Sequence, residues 1–437
     1  RLTDHQLDRF LTAAVAYFPA IGAPEPAAPA SPAVLEPVVP SPRIGEPPTI
    51  GAPPDQGLLL TEDEVEQAVA AAALMRPLED WMTWLHPSQA RLVRRSFNGP
   101  SRIRGAAGTG KTVVGLHRAA YLARTRPGMV LVTGFVKTLP PVLHSLLERL
   151  APDVAGRIEC TGIHAWAGRL LRDRGVRFKV DDRGQVFDDV WRQLPRDSSL
   201  VLTATSAYWR EEISHVLKGR GLTQIHQYLD LPRTGRRRPL TGDQRRDVWD
   251  LFAAYDAELR RRGLVDWEDV ILLASEHLRR NPTTAYSAVI VDEAQDLSAA
   301  MVRMLHSLVG DAPDGFTLIG DGQQSIYPGG YTLAEAGISL AGRGVVLDIN
   351  YRNTAEILAF ASRVVDGDEF TDIEGEVQKG NRPAAVPRSG PEPRIEHFRS
   401  RRARDAGIVA RALSLVHEGG SRPGDMGVLC SSNGAAD

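Results

Sequence analysis

The sequence has little of several residue types, and each shortage excludes a class of protein. Only two cysteines, Cys160 and Cys430, occur among 437 residues, which excludes a disulfide scaffold and predicts a reducing, cytoplasmic location. No apolar run approaches the ~18 residues needed to span a bilayer, so we expect no membrane segment. The formal net charge of −2 has no strong excess of either sign. Any binding of nucleic acid must therefore depend on a local basic path.

Proline is distributed unevenly and sets the start of the chain apart. Twelve of the 30 prolines lie between Pro19 and Pro54. Because proline fixes φ and lacks a backbone N–H, we predict that residues 1–55 form a short helix and a disordered Pro/Ala-rich linker. A ligand for a proline-binding module is the alternative. Residues 56–83 are predicted to form a helical lead-in that begins with a capping box at Thr61.

Beyond residue 84, short apolar runs alternate with helical periodicity. The runs at 128–133, 288–291, 316–319 and 345–348 are each followed by polar or turn residues, which is typical of buried parallel strands. Residues 165–285 differ, since they have helical patterns and few strand signals. We therefore predict an α/β fold with a parallel sheet and a helical insertion at about 165–285.

A glycine-rich segment at residues 105–112 predicts a phosphate-binding loop. It reads Gly-Ala-Ala-Gly-Thr-Gly-Lys-Thr and fits the spacing G-x-x-x-x-G-K-[ST], between a predicted strand and a predicted helix. Backbone N–H groups of such a loop surround a phosphate, and the helix directs its positive end at it. Lysine then reaches the β- and γ-phosphates, while the hydroxyl of the last residue binds Mg²⁺. The predicted ATP-binding residues are Gly105, Gly108, Thr109, Gly110, Lys111 and Thr112.

A second acidic motif supplies the other half of such a site. Residues 288–291 are apolar and are followed directly by Asp292 and Glu293. Carboxylates at the carboxyl end of a parallel strand lie where α/β proteins bind ligands. We predict that Asp292 holds Mg²⁺ and that Glu293 accepts a proton from the attacking water. The pair favours ATP hydrolysis.

Three further motifs make the pattern specific. Residues 85–89 read Leu-His-Pro-Ser-Gln, residues 318–327 read Leu-Ile-Gly-Asp-Gly-Gln-Gln-Ser-Ile-Tyr, and residues 350–353 read Asn-Tyr-Arg-Asn. With the two motifs above, and in this order, the chain resembles the UvrD/Rep-like DNA helicases of superfamily 1A. The resemblance extends over about residues 85–353, with weaker similarity to the end.

The resemblance implies roles for four residues around the nucleotide. Gln89 reads the adenine edge, for which an amide has a matching donor and acceptor. Tyr351 stacks on the adenine ring, and Gln324 senses the γ-phosphate. Arg352 is an arginine finger from a second motor domain, effective only when the cleft between the domains closes. The implied catalytic set is Lys111, Glu293, Gln324 and Arg352.

The resemblance also implies contacts with nucleic acid. Phe135 lies in a segment that contacts single-stranded DNA in the family, and His164 is either a DNA contact or a structural hydrogen-bonding residue. The family has a base-stacking Trp-Arg-Gly after the position of Tyr327, but here residues 328–331 read Pro-Gly-Gly-Tyr. Tyr327 is itself an implied DNA contact. Tyr331 is then the substitute for the missing tryptophan, because base stacking holds a single strand without reading its sequence.

Arginines cluster within the predicted helical insertion. Residues 233–238 read Arg-Thr-Gly-Arg-Arg-Arg. Such a loop contacts DNA phosphates in a salt-dependent way or is a solvated loop with no ligand. On the first interpretation, Arg236 and Arg237 contact DNA.

Taken together, these features imply a two-domain motor with a RecA-like P-loop fold. The first motor domain would cover residues 84–344, and residues 345–437 would be an incomplete second one, with the family's last motifs beyond the chain. The implied function is an ATP-dependent DNA helicase, an ATP hydrolase that uses ATP and Mg²⁺. The resemblance implies that it would translocate 3′ to 5′ on single-stranded or tailed duplex DNA. The alternative is a nucleotide-gated DNA-binding or regulatory ATPase module without unwinding activity.

Overall fold

A computed structural model describes residues 85–136, 139–233, 236, 238–322, 330–340, 342–364, 369–375, 377–379, 386–419 and 426–429. The predictions for residues 1–55 and 56–83, and those for Arg237, Gln324 and Tyr327, lie outside the described residues. Within the described ranges, no helix is both long enough and apolar enough to cross a membrane.

A parallel sheet forms the centre of the fold. Its six strands are β1 (Ser101–Gly105), β2 (Met129–Gly134), β3 (Ile158–Gly162), β4 (Tyr286–Asp292), β5 (Phe316–Gly320) and β6 (Gly344–Leu347). They lie in the order β3-β2-β4-β5-β1-β6, and each neighbouring pair is parallel. The predicted α/β fold with a parallel sheet is confirmed.

Helices connect the strands and continue after them. In chain order they are α1 (Pro87–Arg94), α2 (Lys111–Thr125), α3 (Leu139–Leu150), α4 (Ile163–Asp173), α5 (Gln185–Arg192), α6 (Ser199–Thr203), α7 (Ser206–Glu211), α8 (Ile225–Leu229), α9 (Gly242–Arg262), α10 (Trp267–Arg280), α11 (Ala299–His306), α12 (Ala355–Val364) and α13 (Arg401–Gly419). Short 3₁₀ turns lie at Ala155–Arg157 and Ala294–Asp296, and a π-helix spans Glu212–Lys218.

Both faces of the sheet are buried, as the apolar strands predict. Along β4, Ala288 and Ile290 belong to a core formed with α1, α2 and α3, whereas Val289 and Val291 belong to a core formed with α4, α10 and α11. The alternation follows the two-residue period of a strand. The result is a three-layer arrangement with the sheet in the middle.

Helices α5 to α9 form a separate core of their own. Phe187, Trp209, Tyr228, Val248 and Leu259 are among its buried side chains. In contrast, α4 and α10 pack against each other and contribute to the core on the sheet. The described residues between 165 and 285 are mainly helical, and the independent core within this range is confined to α5–α9.

The predicted boundary between motor domains at residue 345 does not agree with the sheet. Strand β6 pairs in parallel with β1, with Ile103 opposite Val345 and Gly105 opposite Leu347. The strand expected to open a second domain is thus the edge strand of the first sheet. Later residues also return to this sheet, since Arg102 Nη1 lies 3.0 Å from Asp372 Oδ2. A short antiparallel hairpin, β7 (Glu369–Thr371) with β8 (Val377–Lys379), flanks that contact.

Candidate nucleotide site

The glycine-rich loop lies at the carboxyl end of β1 and leads directly into α2. Gly108 and Gly110 have φ values of +90° and +82°, a backbone region in which L side chains are strained. Gly110 is also the N-cap of α2, so the loop turns its chain into the first turn of the helix. Thr109 is fully buried, and its hydroxyl donates to the Ala106 carbonyl at 2.8 Å. These constraints give the loop one defined shape.

Lys111 is held inside this loop. Its Nζ donates to the carbonyl oxygens of Gly105 and Ala106, at 2.8 and 3.2 Å, and only 6% of the residue is exposed. Burial lowers the pKa of Lys111, and the negative charges of Asp321, Glu293 and Asp292 counteract that shift. The ammonium group thus lies on the loop, and the charges of three carboxylates favour its protonated form.

Thr112 and Asp292 join the first turn of α2 to the end of β4. The Thr112 hydroxyl donates to Asp292 Oδ2 at 2.8 Å. Burial, and then the charge of Glu293, raises the pKa of Asp292 to about 6. A hydroxyl and a buried carboxylate are hard oxygen ligands of the kind that Mg²⁺ prefers. The pair therefore fits the predicted metal site.

Glu293 has an unusual backbone conformation directly after β4. Its φ of +50° is rare for a residue other than glycine, and such strain occurs mainly at functional sites. Gln295 Nε2 donates to Glu293 Oε2 at 2.8 Å, and Gln295 Oε1 accepts from the Asp321 backbone N–H at 3.0 Å. Gln295 thus links Glu293 to the end of β5. Sequence reasoning gave it no role, although it lies two residues after the glutamate.

The two residues predicted to hold adenine lie together beside the loop. Gln89 is buried and donates to the Thr109 carbonyl at 3.0 Å, while its Oε1 accepts from the His86 backbone N–H as part of the α1 capping box. The Tyr351 ring packs against His86 with centroids 5.6 Å apart. The fold therefore brings residues 86–89 and Tyr351 to one side of the loop, although 262 positions separate Gln89 from Tyr351 in the chain.

Arg352 follows directly on the same segment. Its side chain is exposed, whereas its backbone N–H donates to the Gly108 carbonyl at 3.2 Å. The positive charge of Arg352 contributes to lowering the pKa of Lys111. The predicted arginine finger thus lies close to the loop.

The predicted DNA contacts Phe135 and His164 form part of an aromatic row. Their rings are 6.2 Å apart, and His164 lies 5.6 Å from Trp267, both pairs edge to face. Phe135 and His164 follow the carboxyl ends of β2 and β3, and Trp267 begins α10. Phe135 and Trp267 also pack against the core beside the sheet.

Two other predicted DNA contacts are engaged within the protein. The Arg236 side chain is 3% exposed and pairs with Glu212, at 2.8 Å, and with Glu211, at 3.1 Å. Tyr331 is 2% exposed, and its hydroxyl donates to the Ala294 carbonyl at 3.1 Å. A guanidinium satisfied by carboxylates and a buried ring present little to a DNA strand. This placement argues for packing roles at both positions.

The parallel sheet with a glycine-rich loop between β1 and α2 defines the P-loop class of α/β proteins. Residues 85–338 match the family model of the UvrD/REP helicase N-terminal domain. Because that match covers more than half of the chain, the chain belongs to this family.

Curated relatives are similar over most of the chain. ATP-dependent DNA helicase UvrD2 of Mycobacterium tuberculosis is 25% identical over 401 residues, which cover 85% of this chain and 54% of that protein. A probable DNA helicase II homolog of Rickettsia felis is 26% identical over 67% of this chain and 46% of its own length. ATP-dependent DNA helicase PcrA of Leuconostoc citreum is 26% identical over 64% of this chain. The chain thus spans about half the length of the first of these relatives.

Proposed function

We propose that this chain is the ATP-hydrolysing part of a DNA helicase that moves along single-stranded DNA. The observation that carries the proposal is the contact between Thr112 and Asp292, 2.8 Å apart, with Lys111 on the loop and Glu293 next in the chain. These groups are the ones that phosphoryl transfer to water needs: a phosphate cradle, a metal site and a proton acceptor. The names of the relatives, ATP-dependent DNA helicases, support the same activity.

Each group has a separate task in this proposal. Lys111 and the loop residues bind the phosphates of ATP, and Thr112 with Asp292 would hold Mg²⁺. The metal, when bound, supplies positive charge that neutralises the phosphates. Glu293, oriented by Gln295, accepts the proton of the attacking water. Gln89 and Tyr351 hold the adenine.

Arg352 stabilises charge on the reacting phosphate, and its contribution depends on how closely its segment approaches the loop. Outside the described residues, Gln324 remains the proposed γ-phosphate sensor. We propose that a second motor domain, formed by residues after β6, closes on the bound nucleotide. Closure then directs the exposed side chain of Arg352, whose backbone is already bonded to the loop, at the reacting phosphate. The two-domain organisation and the 3′-to-5′ direction are part of this proposal and rest on the resemblance.

DNA is proposed to pass over Phe135 and His164, which follow the carboxyl ends of β2 and β3. Aromatic rings bind successive bases by stacking, which requires no particular sequence. Tyr327 and Arg237 remain proposed contacts outside the described residues. We assign Arg236 and Tyr331 to packing instead. A cytoplasmic location is consistent with a DNA substrate and with the two cysteines.

One observation favours a second candidate, a nucleotide-gated DNA-binding or regulatory ATPase without unwinding activity. The family's base-stacking tryptophan is replaced here by the Pro-Gly-Gly-Tyr sequence at 328–331, and the tyrosine of that sequence is buried at 2% exposure. A motor with one stacking ring fewer has a weaker grip on the bases, because each stacked base contributes about 1–3 kcal/mol.

Two assays on the full-length protein separate the candidates. The first measures ATP hydrolysis with and without single-stranded DNA, and the second measures strand displacement on duplexes with a 3′ or a 5′ tail. A motor predicts DNA-stimulated hydrolysis and displacement from the 3′-tailed duplex only. ATP hydrolysis that DNA stimulates without any strand displacement favours the regulatory module. Hydrolysis at the same rate with and without DNA contradicts both candidates. Lys111→Ala serves as the inactive variant, with exposed Lys179→Ala as its matched control.

A further inference from the structure

One turn after β6 is attached to the tip of the phosphate-binding loop by four hydrogen bonds. Nδ2 of Asn350 and Nδ2 of Asn353 both donate to the Ala107 carbonyl, at 2.7 and 3.3 Å. The backbone N–H groups of Tyr351 and Arg352 both donate to the Gly108 carbonyl, at 3.0 and 3.2 Å. We call residues 350–353 the clasp turn.

Asn350 both shapes the clasp turn and attaches it. It is completely buried, and its Oδ1 accepts from the backbone N–H groups of Arg352, at 3.2 Å, and Asn353, at 3.0 Å. The approach to the loop is very close, since a Cβ at Gly108 would lie 2.4 Å from Asn350 Oδ1. Gly108 is therefore required by this contact as well as by its positive φ.

The contacts have a direct consequence for a loop that binds anions through its N–H groups. Such a loop directs its N–H groups inward, so its carbonyls face outward and need partners if they are buried. The clasp turn supplies those partners at Ala107 and Gly108. The conformation of the cradle and the position of Arg352 then depend on the same four hydrogen bonds.

We propose that Asn350 is a positioning residue that couples the shape of the phosphate cradle to the segment carrying Arg352. The inference rests on the proposed function, because it concerns how the loop binds a nucleotide. It adds to that function a residue that touches neither the phosphates nor the metal ligands. Loss of the Asn350 donor weakens nucleotide binding from outside the cradle.

Asn350→Asp is the sharpest test, because it is nearly isosteric. The acceptor oxygen that shapes the turn is kept, but the N–H donor facing the Ala107 carbonyl becomes a second oxygen that repels it. We expect the affinity for ADP with Mg²⁺ to fall about tenfold, which corresponds to ~1.4 kcal/mol. ADP lacks the γ-phosphate, so the loss reports on the cradle. Asn281→Asp, at an exposed position at the end of α10, is the matched control and should bind ADP like the wild type.

Two further measurements separate positioning from a general loss of structure. A protonated aspartate donates a hydrogen bond, so the ADP affinity of Asn350→Asp relative to wild type should recover as pH falls from about 8 to about 5.5. Amide hydrogen exchange without nucleotide should be faster at residues 106–110 in the variant and unchanged along β3. A merely structural defect predicts neither the recovery nor the local effect.

The outcomes are distinct. If the wild type binds ADP and folded Asn350→Asp binds it equally well, the inference is overturned and the proposed function stands. If the wild type binds neither ADP nor ATP, the proposed function itself fails. If circular dichroism shows that Asn350→Asp does not fold, Asn353→Asp replaces it, because it removes the second donor to the Ala107 carbonyl from a less buried position. We expect an affinity loss of about threefold there, and an unchanged affinity overturns the inference.

Discussion

In the described part of the helical insertion, Glu212 carries the only negative charge that contacts both Arg233 and Arg236. Replacing Glu212 with Gln removes this charge. Glu212 is completely buried in the π-helix. Its Oε1 accepts from Arg233 Nε at 2.6 Å, and its Oε2 accepts from Arg233 Nη2 and Arg236 Nε, both at 2.8 Å. Tyr228 donates to the same carboxylate at 2.8 Å. The side chains of Arg233 and Arg236 are only 4% and 3% exposed, so water does not replace the lost charge.

The magnitude follows from this geometry. Breaking a buried ion pair by removing one partner typically lowers the free energy of unfolding by about 3–5 kcal/mol. Glutamine keeps one acceptor oxygen, and Arg236 keeps its contact with Glu211, so we expect the lower end, about 3 kcal/mol. Glu276→Gln is the matched control, because Glu276 pairs with Arg279 on the exposed surface of α10. Exposed pairs of this kind contribute no more than about 1 kcal/mol.

Urea unfolding of the full chain measures both variants. We expect Glu212→Gln to lower the midpoint with an unchanged slope, and Glu276→Gln to leave it nearly unchanged. Burial tends to raise the pKa of Glu212, but the hydrogen bond and charge of Arg233 outweigh it and hold the pKa below its ordinary 4.5. The wild-type stabilisation should therefore be complete above about pH 4.5 and decline as pH falls below it, a decline that Glu212→Gln should not show. A loss under about 1 kcal/mol in Glu212→Gln would refute the reasoning.

Three further substitutions test individual roles. Lys111→Ala should abolish ATP binding in titration calorimetry, because the ammonium on the loop is lost; normal affinity would contradict its role. Glu293→Gln should bind ATP but hydrolyse it at least about a hundredfold more slowly in single-turnover assays, and a normal rate would exclude it as the proton acceptor. Arg236→Ala should lower the urea midpoint but leave the salt dependence of DNA binding unchanged, whereas exposed Arg238→Ala should change stability by less than ~0.5 kcal/mol. A flatter salt dependence in Arg236→Ala would instead make it a phosphate contact.

The parallel α/β fold was predictable because its signals are local. Buried strands appear as short apolar runs, and the glycine-rich loop needs particular residue types at fixed spacing, since its conformation depends on its own backbone. The pairing of Thr112 with Asp292 follows from the same rule, because the carboxyl ends of parallel strands lie along one edge of the sheet. For these residues, the order of motifs was enough to predict the neighbours.

Other positions were not predictable, because their partners are distant in the chain. The sequence around Arg236 is typical of a basic DNA-binding loop. Only the tertiary structure shows that Arg236 is instead paired with the buried Glu212. Tyr331 has an aromatic ring that could stack on a base, but the fold buries this ring and its hydroxyl donates to the Ala294 carbonyl. Likewise, nothing local distinguishes β6 as the edge strand of the first sheet from the first strand of a second one.

By itself, the sequence determined the class of fold, the family and the residues of the phosphate-binding loop. Those features depend on periodicity, on glycine at special backbone angles and on short motifs, all of which are properties of contiguous residues. Only the tertiary structure decided which arginines are exposed, which glutamine orients Glu293, and that Asn350 donates to Ala107 across 243 positions of the chain. Each of these depends on burial and on hydrogen-bond geometry between distant segments, quantities that exist only once the chain has packed.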